Sequence, residues 1–324
     1  MFNMKSIKCI IVGLLMTGLF VSDGSAQGSY PGRSITVVVP WTAGMADIAT
    51  RSVCRVAEKV LGQPMIIENK PGAAGALGTN YFLKAAPDGY TIGITAASVL
   101  ALQPHFREMP FNPLTDVTDI CAFVGYPLML AVRSDTPWRT YGEVINYVRN
   151  NPGKFKYATA GSGTFQHIVL ETLAKKEGLK WTMIPFKGGA EAVLACLGGH
   201  ADGIAAGPTD LLPHIKAEKL RGTLSLNNYR WEELPDVPNM SEKGYDFYAT
   251  QYLSFAGPKG LSDPIRQKLE DAFKKATEDP SIIEWSKKTS AYIQFLGGRE
   301  YSQIWRSKYD TWGKVIKNLG IKQD

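Results

Sequence analysis

Cysteine and histidine are scarce in this chain, four of each in 324 residues, and that scarcity already narrows its chemistry. None of Cys54, Cys121 and Cys196 has a CxxC neighbour, and His105, His167, His200 and His214 show no metal-ligand spacing, so no metal site is expected. Lysine and arginine nowhere cluster as nucleic-acid binding requires, which removes that partner. No phosphate loop survives inspection. Gly72-Ala73-Ala74-Gly75-Ala76-Leu77-Gly78 is spaced GxxGxxG, follows Pro71 and lacks a Walker lysine, so it reads as a turn into a helix and no cofactor is expected. No nucleophile–base–orienter set is legible either, and a binding function is expected rather than an enzyme.

The one long apolar run lies at the start. Lys5 and Lys8 precede an apolar core from Cys9 to Val21, and Gly24-Ser25-Ala26 supplies small residues for cleavage. Residues 1–26 therefore read as a signal peptide cleaved after Ala26, and a periplasmic location is expected. The run is about 13 residues, short of the roughly 20 that span a bilayer. Without the leader, 34 basic and 29 acidic residues leave +5, a mild excess that suits small anions. Three cysteines then remain, so at most one internal disulfide is possible. Cys54 and Cys121 are the better-placed pair, but buried unpaired thiols are preferred for all three.

What the chain does contain is a strand run, Ile35-Thr36-Val37-Val38-Val39, leading through Pro40-Trp41-Thr42-Ala43-Gly44-Met45-Ala46 into a helix expected to open at Asp47. A strand, a small-residue turn and a helix start leave backbone N–H groups free at the positive end of a helix dipole. The arrangement recurs at Lys156-Tyr157-Ala158-Thr159-Ala160-Gly161-Ser162-Gly163-Thr164. Two such cradles in separate parts of the chain point to a cleft that closes on a carboxylate.

Strands and helices alternate along the chain. Strand-like runs fall at 35–39, 65–68, 91–95, 120–124, 128–132, 156–160, 183–185, 203–206 and 221–225. Helical stripes place Ile48, Val53, Val56 and Val60 on one face of 47–61, and Phe165, Ile168, Val169, Thr172 and Leu173 on one face of 164–177. Such alternation predicts an α/β fold with mostly parallel sheet, its ligand beyond the strand C-termini. Helices over 263–278, 280–289 and 300–319 form an expected C-terminal buttress. Linkers near Gly125-Tyr126-Pro127 and Tyr248–Gly257 suggest two crossings and a hinge. The expected division is lobe 1 over 27–125 plus 249–324, and lobe 2 over 126–248.

At this level of detail the chain resembles the periplasmic solute receptors of tripartite tricarboxylate transporters, the Bug or TctC-like family. The matching elements include Tyr30-Pro31, Val39-Pro40-Trp41…Gly44…Asp47 and Ile67-Glu68-Asn69-Lys70-Pro71-Gly72-Ala73-Ala74-Gly75. Ala85-Ala86-Pro87-Asp88-Gly89-Tyr90-Thr91, Lys156-Tyr157-Ala158…Gly161…Gly163…His167 and Pro185-Phe186-Lys187-Gly188 continue the series. Pro213-His214-Ile215-Lys216-Ala217…Lys219-Leu220-Arg221 and Leu234-Pro235-Asp236-Val237-Pro238 complete it. The resemblance implies a two-lobed Venus-flytrap receptor, type II-like, expected to be a monomer that delivers a small carboxylate to integral-membrane transporter subunits.

By position, the resemblance implies ligand contacts from Trp41, Thr42, Ala43, Gly44 and Asp47 in the first loop and from Ala96 and Ser98 after the third strand. From the second lobe it implies Gly161, Ser162, Gly163, Thr164 and Phe165, with Thr209 and Asp210 after a later strand. Lys187 is either a cleft-edge cation or a solvated turn lysine. Asp47 and Asp210 read first as helix N-caps, with a ligand-orienting role as the alternative. His167 is expected to hold the Gly-rich loop by a hydrogen bond. The first loop departs from the family in carrying a single Gly44 where a Gly-Gly pair is usual. Trp41, Phe165 and Phe186 are expected to offer a flat wall suited to an aromatic carboxylate such as terephthalate. A sensor presenting ligand to a membrane histidine kinase is the alternative function, ahead of an enzyme on the same fold.

Overall fold

A computed structural model describes residues 30–249, 251–289 and 291–321; the leader expected over residues 1–26 lies outside them. The chain opens with β1 (Ile35–Val39), α1 (Met45–Leu61), β2 (Met65–Asn69), α2 (Ala76–Leu83) and β3 (Thr91–Ala96). Short helices α3 (Ala97–Ala101), α4 (Gln103–Phe106) and α5 (Pro113–Asp116) lead to β4 (Val117–Tyr126) and β5 (Met129–Arg133). Then follow α6 (Tyr141–Asn150), β6 (Lys156–Thr159), α7 (Phe165–Glu177), β7 (Thr182–Pro185), α8 (Gly189–Leu197), β8 (Gly203–Ala206), α9 (Pro208–Lys216) and β9 (Leu220–Ser225). The chain ends in β10 (Gln251–Pro258), α10 (Asp263–Thr277), α11 (Pro280–Thr289), β11 (Ile293–Gly297) and α12 (Gly298–Leu319).

Two sheets result, a six-stranded one in the order β11-β4-β10-β3-β1-β2 and a five-stranded one in the order β7-β6-β8-β5-β9. The β-branched run of β1 sits inside the first sheet with Ile35, Val37, Val38 and Val39 fully buried, as a strand covered on both faces requires. The sheets are mixed rather than mostly parallel. β1 runs parallel to β2 and β3, and β6 parallel to β7 and β8, but β10 is antiparallel to β3 and β4, and β5 to β8 and β9. The cause is the double crossing: the chain leaves the first sheet along β4 and returns along β10, so the two crossing strands lie side by side in opposite directions.

The stretch expected as a second linker is thus a strand near the middle of its sheet. Leu253, Phe255 and Ala256 on β10 are buried, and the Phe255 ring stacks on Phe273 of α10 at 3.7 Å. At the other end of the crossings Asn227 ties both segments, its Oδ1 accepting from the Leu128 N–H at 2.7 Å and its Nδ2 donating to the Ala249 carbonyl at 2.8 Å.

The C-terminal helices buttress the first sheet as expected, with Trp305 of α12 donating from Nε1 to Asp119 of β4 at 3.0 Å. Helix α1 begins at Met45, two residues before the expected Asp47. Its buried stripe runs through Ala49, Val53, Val56 and Ala57, while Ile48 and Val60 are 43% and 41% exposed. Small Ala49 and Ala57 let the helix lie close against its neighbours, which leaves the larger residues at the flanks. Cys54, Cys121 and Cys196 are buried free thiols.

Candidate functional site

The C-terminal edges of the two sheets face each other across a small cleft of about 50 Å³. Loops from both sides line it: Trp41, Thr42 and Gly44 after β1, Ser98 after β3, Thr164 and Gln166 at the start of α7, Gly189 at the start of α8, and Asp210 on α9. Tyr126 and Gln251 on the crossing strands form the floor.

Helix α1 starts from Gly44, whose φ of 150° is one an L side chain rarely adopts and which supplies no side-chain cap of its own. A Cβ on Gly44 would lie 3.5 Å from the Ala190 nitrogen and 3.7 Å from Asp210 Oδ1, so the first loop abuts the opposite lobe. Helix α8 starts likewise from Gly188 with no side-chain cap. The N-terminal ends of α1 and α8 therefore converge from opposite sides, with the Asp210 carboxylate beside both. Among the described residues, no lysine or arginine lines the cleft. Its attraction for an anion comes from helix termini, each contributing about 0.3–1 kcal/mol and more where partly buried.

Asp210 is the one carboxylate in the lining among the described residues. It sits in the first turn of α9, where Gly207 is the N-cap, and its carboxylate accepts from the Met45 N–H of α1. Burial pushes its pKa up to about 6, opposed by that Met45 N–H. Asp210 is thus no N-cap of its own helix but an acceptor at the start of the helix facing it. Asp47 is likewise not a cap. It lies one turn into α1, accepts from Arg51 Nε at 3.0 Å and from Asn69 Nδ2 at 2.9 Å, and that Nδ2 also donates to the Trp41 carbonyl at 2.9 Å. Asp47 positions the first loop through Asn69 and does not face the cleft.

The Gly-rich loop uses its own N–H groups. Gly163 donates to His167 Nδ1 at 3.1 Å, the role expected of that histidine, and Gly161 donates to Thr159 Oγ1 at 3.3 Å. Thr164 caps α7, accepting from the His167 N–H at 3.4 Å and donating to the Gly161 carbonyl at 2.9 Å. Gly161 and Ser162 face an outer cavity at the mouth, where Arg107 donates to the Ser162 carbonyl at 2.6 Å. Lys187 is on that rim, exposed, and not in the cleft.

Of the expected contacts, Trp41, Thr42, Gly44, Ser98, Thr164 and Asp210 come together in the lining. Ala43, Asp47, Ala96, Gly161, Ser162, Gly163, Phe165, Lys187 and Thr209 do not. The aromatic wall is not assembled. Phe165 turns away to meet Trp312 edge-on at 5.2 Å, Phe186 lies at the outer mouth, and Trp41 is 8% exposed and pressed on Gly75. The lining residues that sequence reasoning missed include Gln166, Gly189, Tyr126, Gln251 and Leu253. The Gly188-Gly189 pair between a strand and a helix was a readable signal; Tyr126, Gln251 and Leu253 depend on the crossings.

Three polar atoms around the cleft are buried without a hydrogen-bond partner: Thr42 Oγ1, Gln166 Oε1 and Gln251 Oε1. Leaving such groups unmatched costs about 1–3 kcal/mol each, and a polar ligand relieves that cost.

The family model described as tripartite tricarboxylate transporter family receptor matches residues 49–321. The UPF0065 protein in the gbd 5′ region of Cupriavidus necator is 36% identical over 306 residues, 94% of this chain and 93% of that relative. Among solved structures, the periplasmic binding protein BugD superposes with a TM-score of 0.86 at 29% identity, covering 91% of this chain and 100% of BugD. MatC from Rhodopseudomonas palustris with bound malate gives 0.83 at 25% identity, covering 89% of this chain and 100% of MatC.

Proposed function

The chain belongs to the tripartite tricarboxylate transporter receptor family, and on that premise we propose that its cleft captures a small carboxylate for integral-membrane transporter subunits. The supporting observation is the convergence of the glycine-started α1 and α8 from opposite lobes, beside Thr42, Gln166 and Gln251 atoms that have no hydrogen-bond partner among the described residues. A charge-assisted hydrogen bond contributes about 1.5–3 kcal/mol, so three or four of them reach roughly micromolar affinity after binding costs. The lobes in this reading are 27–125 plus 249–324 and 126–248, closing about the paired crossing strands.

An aliphatic mono- or dicarboxylate fits better than the aromatic class, terephthalate included. The space of about 50 Å³ admits little more than a carboxylate group in this arrangement of the lobes, and Trp41, Phe165 and Phe186 present no common flat face. The absence of arginine or lysine from the lining weighs against a trianion. MatC, 25% identical, holds malate, which makes malate the first probe. In this reading the protein delivers its ligand unchanged, works in the periplasm as a monomer and needs no cofactor.

A thermal-shift screen of the protein from residue 27 onward, with calorimetry on each hit, tests the proposal. It compares malate with other dicarboxylates, tricarboxylates, aromatic acids and acidic amino acids. A ligand at a hundred times its Kd stabilises the folded state by about 2.7 kcal/mol. A shift with the small aliphatic carboxylates is expected. No shift with any carboxylate overturns the proposal.

A further inference from the structure

A second cavity of about 200 Å³ lies directly behind the cleft, between α12 on one side and α7 with the segment before β10 on the other. Its lining includes Phe165, Phe247, Tyr252, Trp305 and Trp312, an aromatic cage contributed from both lobes. The wall between the two cavities is a single layer of chain. Gln166 lines the cleft while Phe165 lines the cage, Gln251 the cleft while Tyr252 the cage, and Ser98 the cleft while Ala97 the cage.

An apolar cavity of about 150 Å³ accommodates one benzene ring, so the cage has room for a ring and one substituent. Its polar features set what that substituent is. Lys308 stands at the rim on α12 and forms no ion pair with the described residues. The acidic residue of the rim, Asp246, is held by Lys176 at 3.3 Å. Tyr301, also in the lining, is fully buried, and its hydroxyl lies beside Ser254 of β10 rather than opening on the cage. Lys308 is thus the cation that the rim offers to an occupant's substituent.

We propose that this cage is a second ligand site, distinct from the carboxylate cleft, that takes a small aromatic monocarboxylate. The ring stacks among Phe165, Tyr252, Trp305 and Trp312, and the carboxylate meets Lys308 at the rim. Edge-to-face and offset contacts suit a ring enclosed by several aromatic side chains. Of the three aromatic residues that the sequence suggests for the main cleft, Phe165 alone lines this neighbouring site.

Benzoate is the probe, titrated by calorimetry and by quenching of tryptophan fluorescence against the wild type, Lys308→Gln and Thr42→Val. Lys308 is exposed, so its substitution leaves the fold intact. Thr42 lies in the cleft loop and away from the cage. Saturable benzoate binding is expected, weakened about tenfold by Lys308→Gln and unchanged by Thr42→Val. Benzamide, which lacks the charge, is expected to be insensitive to Lys308→Gln. No saturable binding to the wild type, or binding weakened by Thr42→Val and not by Lys308→Gln, overturns the proposal. Lys308→Gln and Thr42→Val assign benzoate binding to the cage or to the cleft, so a failure here is distinguishable from a failure of malate to bind.

Discussion

Gln251 donates from Nε2 to the Tyr126 hydroxyl at 3.1 Å, joining the two strands on which the chain crosses between its sheets. Both residues line the cleft floor, and Gln251 directly opposes Tyr126 in the β4–β10 ladder. The strand crossing and the cleft floor therefore share these two residues. Gln251→Leu leaves the buried Tyr126 hydroxyl unmatched and removes a polar group from the cleft. It is expected to destabilise the protein by about 1–3 kcal/mol in urea titrations and to weaken carboxylate binding at least tenfold.

Asn227 does similar work at the far end of the crossings. It is buried and bonds the Leu128 N–H and the Ala249 carbonyl. Asn227→Ala leaves two backbone groups without partners, and a loss of about 2–4 kcal/mol in urea titrations is the expected result.

Why these positions are invisible in the sequence is a matter of distance along the chain. Tyr126 and Gln251 meet only because β4 and β10 pair, and β10 itself, with Ser254, Gly257 and Pro258, reads locally as a linker. The first-loop cradle was legible because a β-branched run, small residues and a helix start are adjacent in sequence. The Gly-rich loop was legible as a turn, but not its use: Gly161 and Gly163 spend their N–H groups on Thr159 and His167. Phe165 and Gln166 point to different cavities, a one-residue distinction that needs the helix start fixed exactly at Phe165.

His167 gives the fold an acid-sensitive point. Burial, then the Arg107 charge, pushes its pKa down from 6.5 to about 4. Between those values the unfolded chain binds a proton that the folded chain does not, so stability from this group falls as pH falls. At pH 5 the loss is on the order of 2 kcal/mol. Asp119 and Asp210 act in the opposite sense. Both are raised from 3.8 to about 6, chiefly by burial, so the folded state holds protons that the unfolded state has released between those values. Urea titrations at pH 7 and pH 5 separate the terms. His167→Gln, which can still accept from Gly163, is expected to gain about 2 kcal/mol on the wild type in going to pH 5.

Asp210 couples ligand affinity to pH. A ligand carboxylate entering beside it meets a second negative charge once Asp210 ionises above about pH 6. Malate affinity is expected to weaken by up to about tenfold per pH unit above that value. Asp210→Asn is expected to flatten the profile, which calorimetry between pH 5 and pH 8 reads directly.

Asp47 acts through the first loop. Asp47→Ala frees Asn69 and the Trp41 carbonyl it holds. Because Arg51 is 45% exposed, the ion pair itself contributes little, and a stability loss of about 1 kcal/mol is expected. Carboxylate affinity is expected to fall about tenfold, with Asp47→Asn intermediate in the same calorimetric titration.

The central claim, that a carboxylate is held where the α1 and α8 starts converge, is tested most directly at Gly189. A Cβ there would collide with the Asp210 carboxylate inside the cleft, while Gly189 needs no left-handed conformation of its own. The measurement is a calorimetric titration of malate into the wild type and Gly189→Val, with the unliganded melting temperature of each as the control. Micromolar binding by the wild type, weakened at least thirtyfold in a Gly189→Val variant that still melts cooperatively, is the predicted result. Equal malate affinity in the two proteins would contradict it.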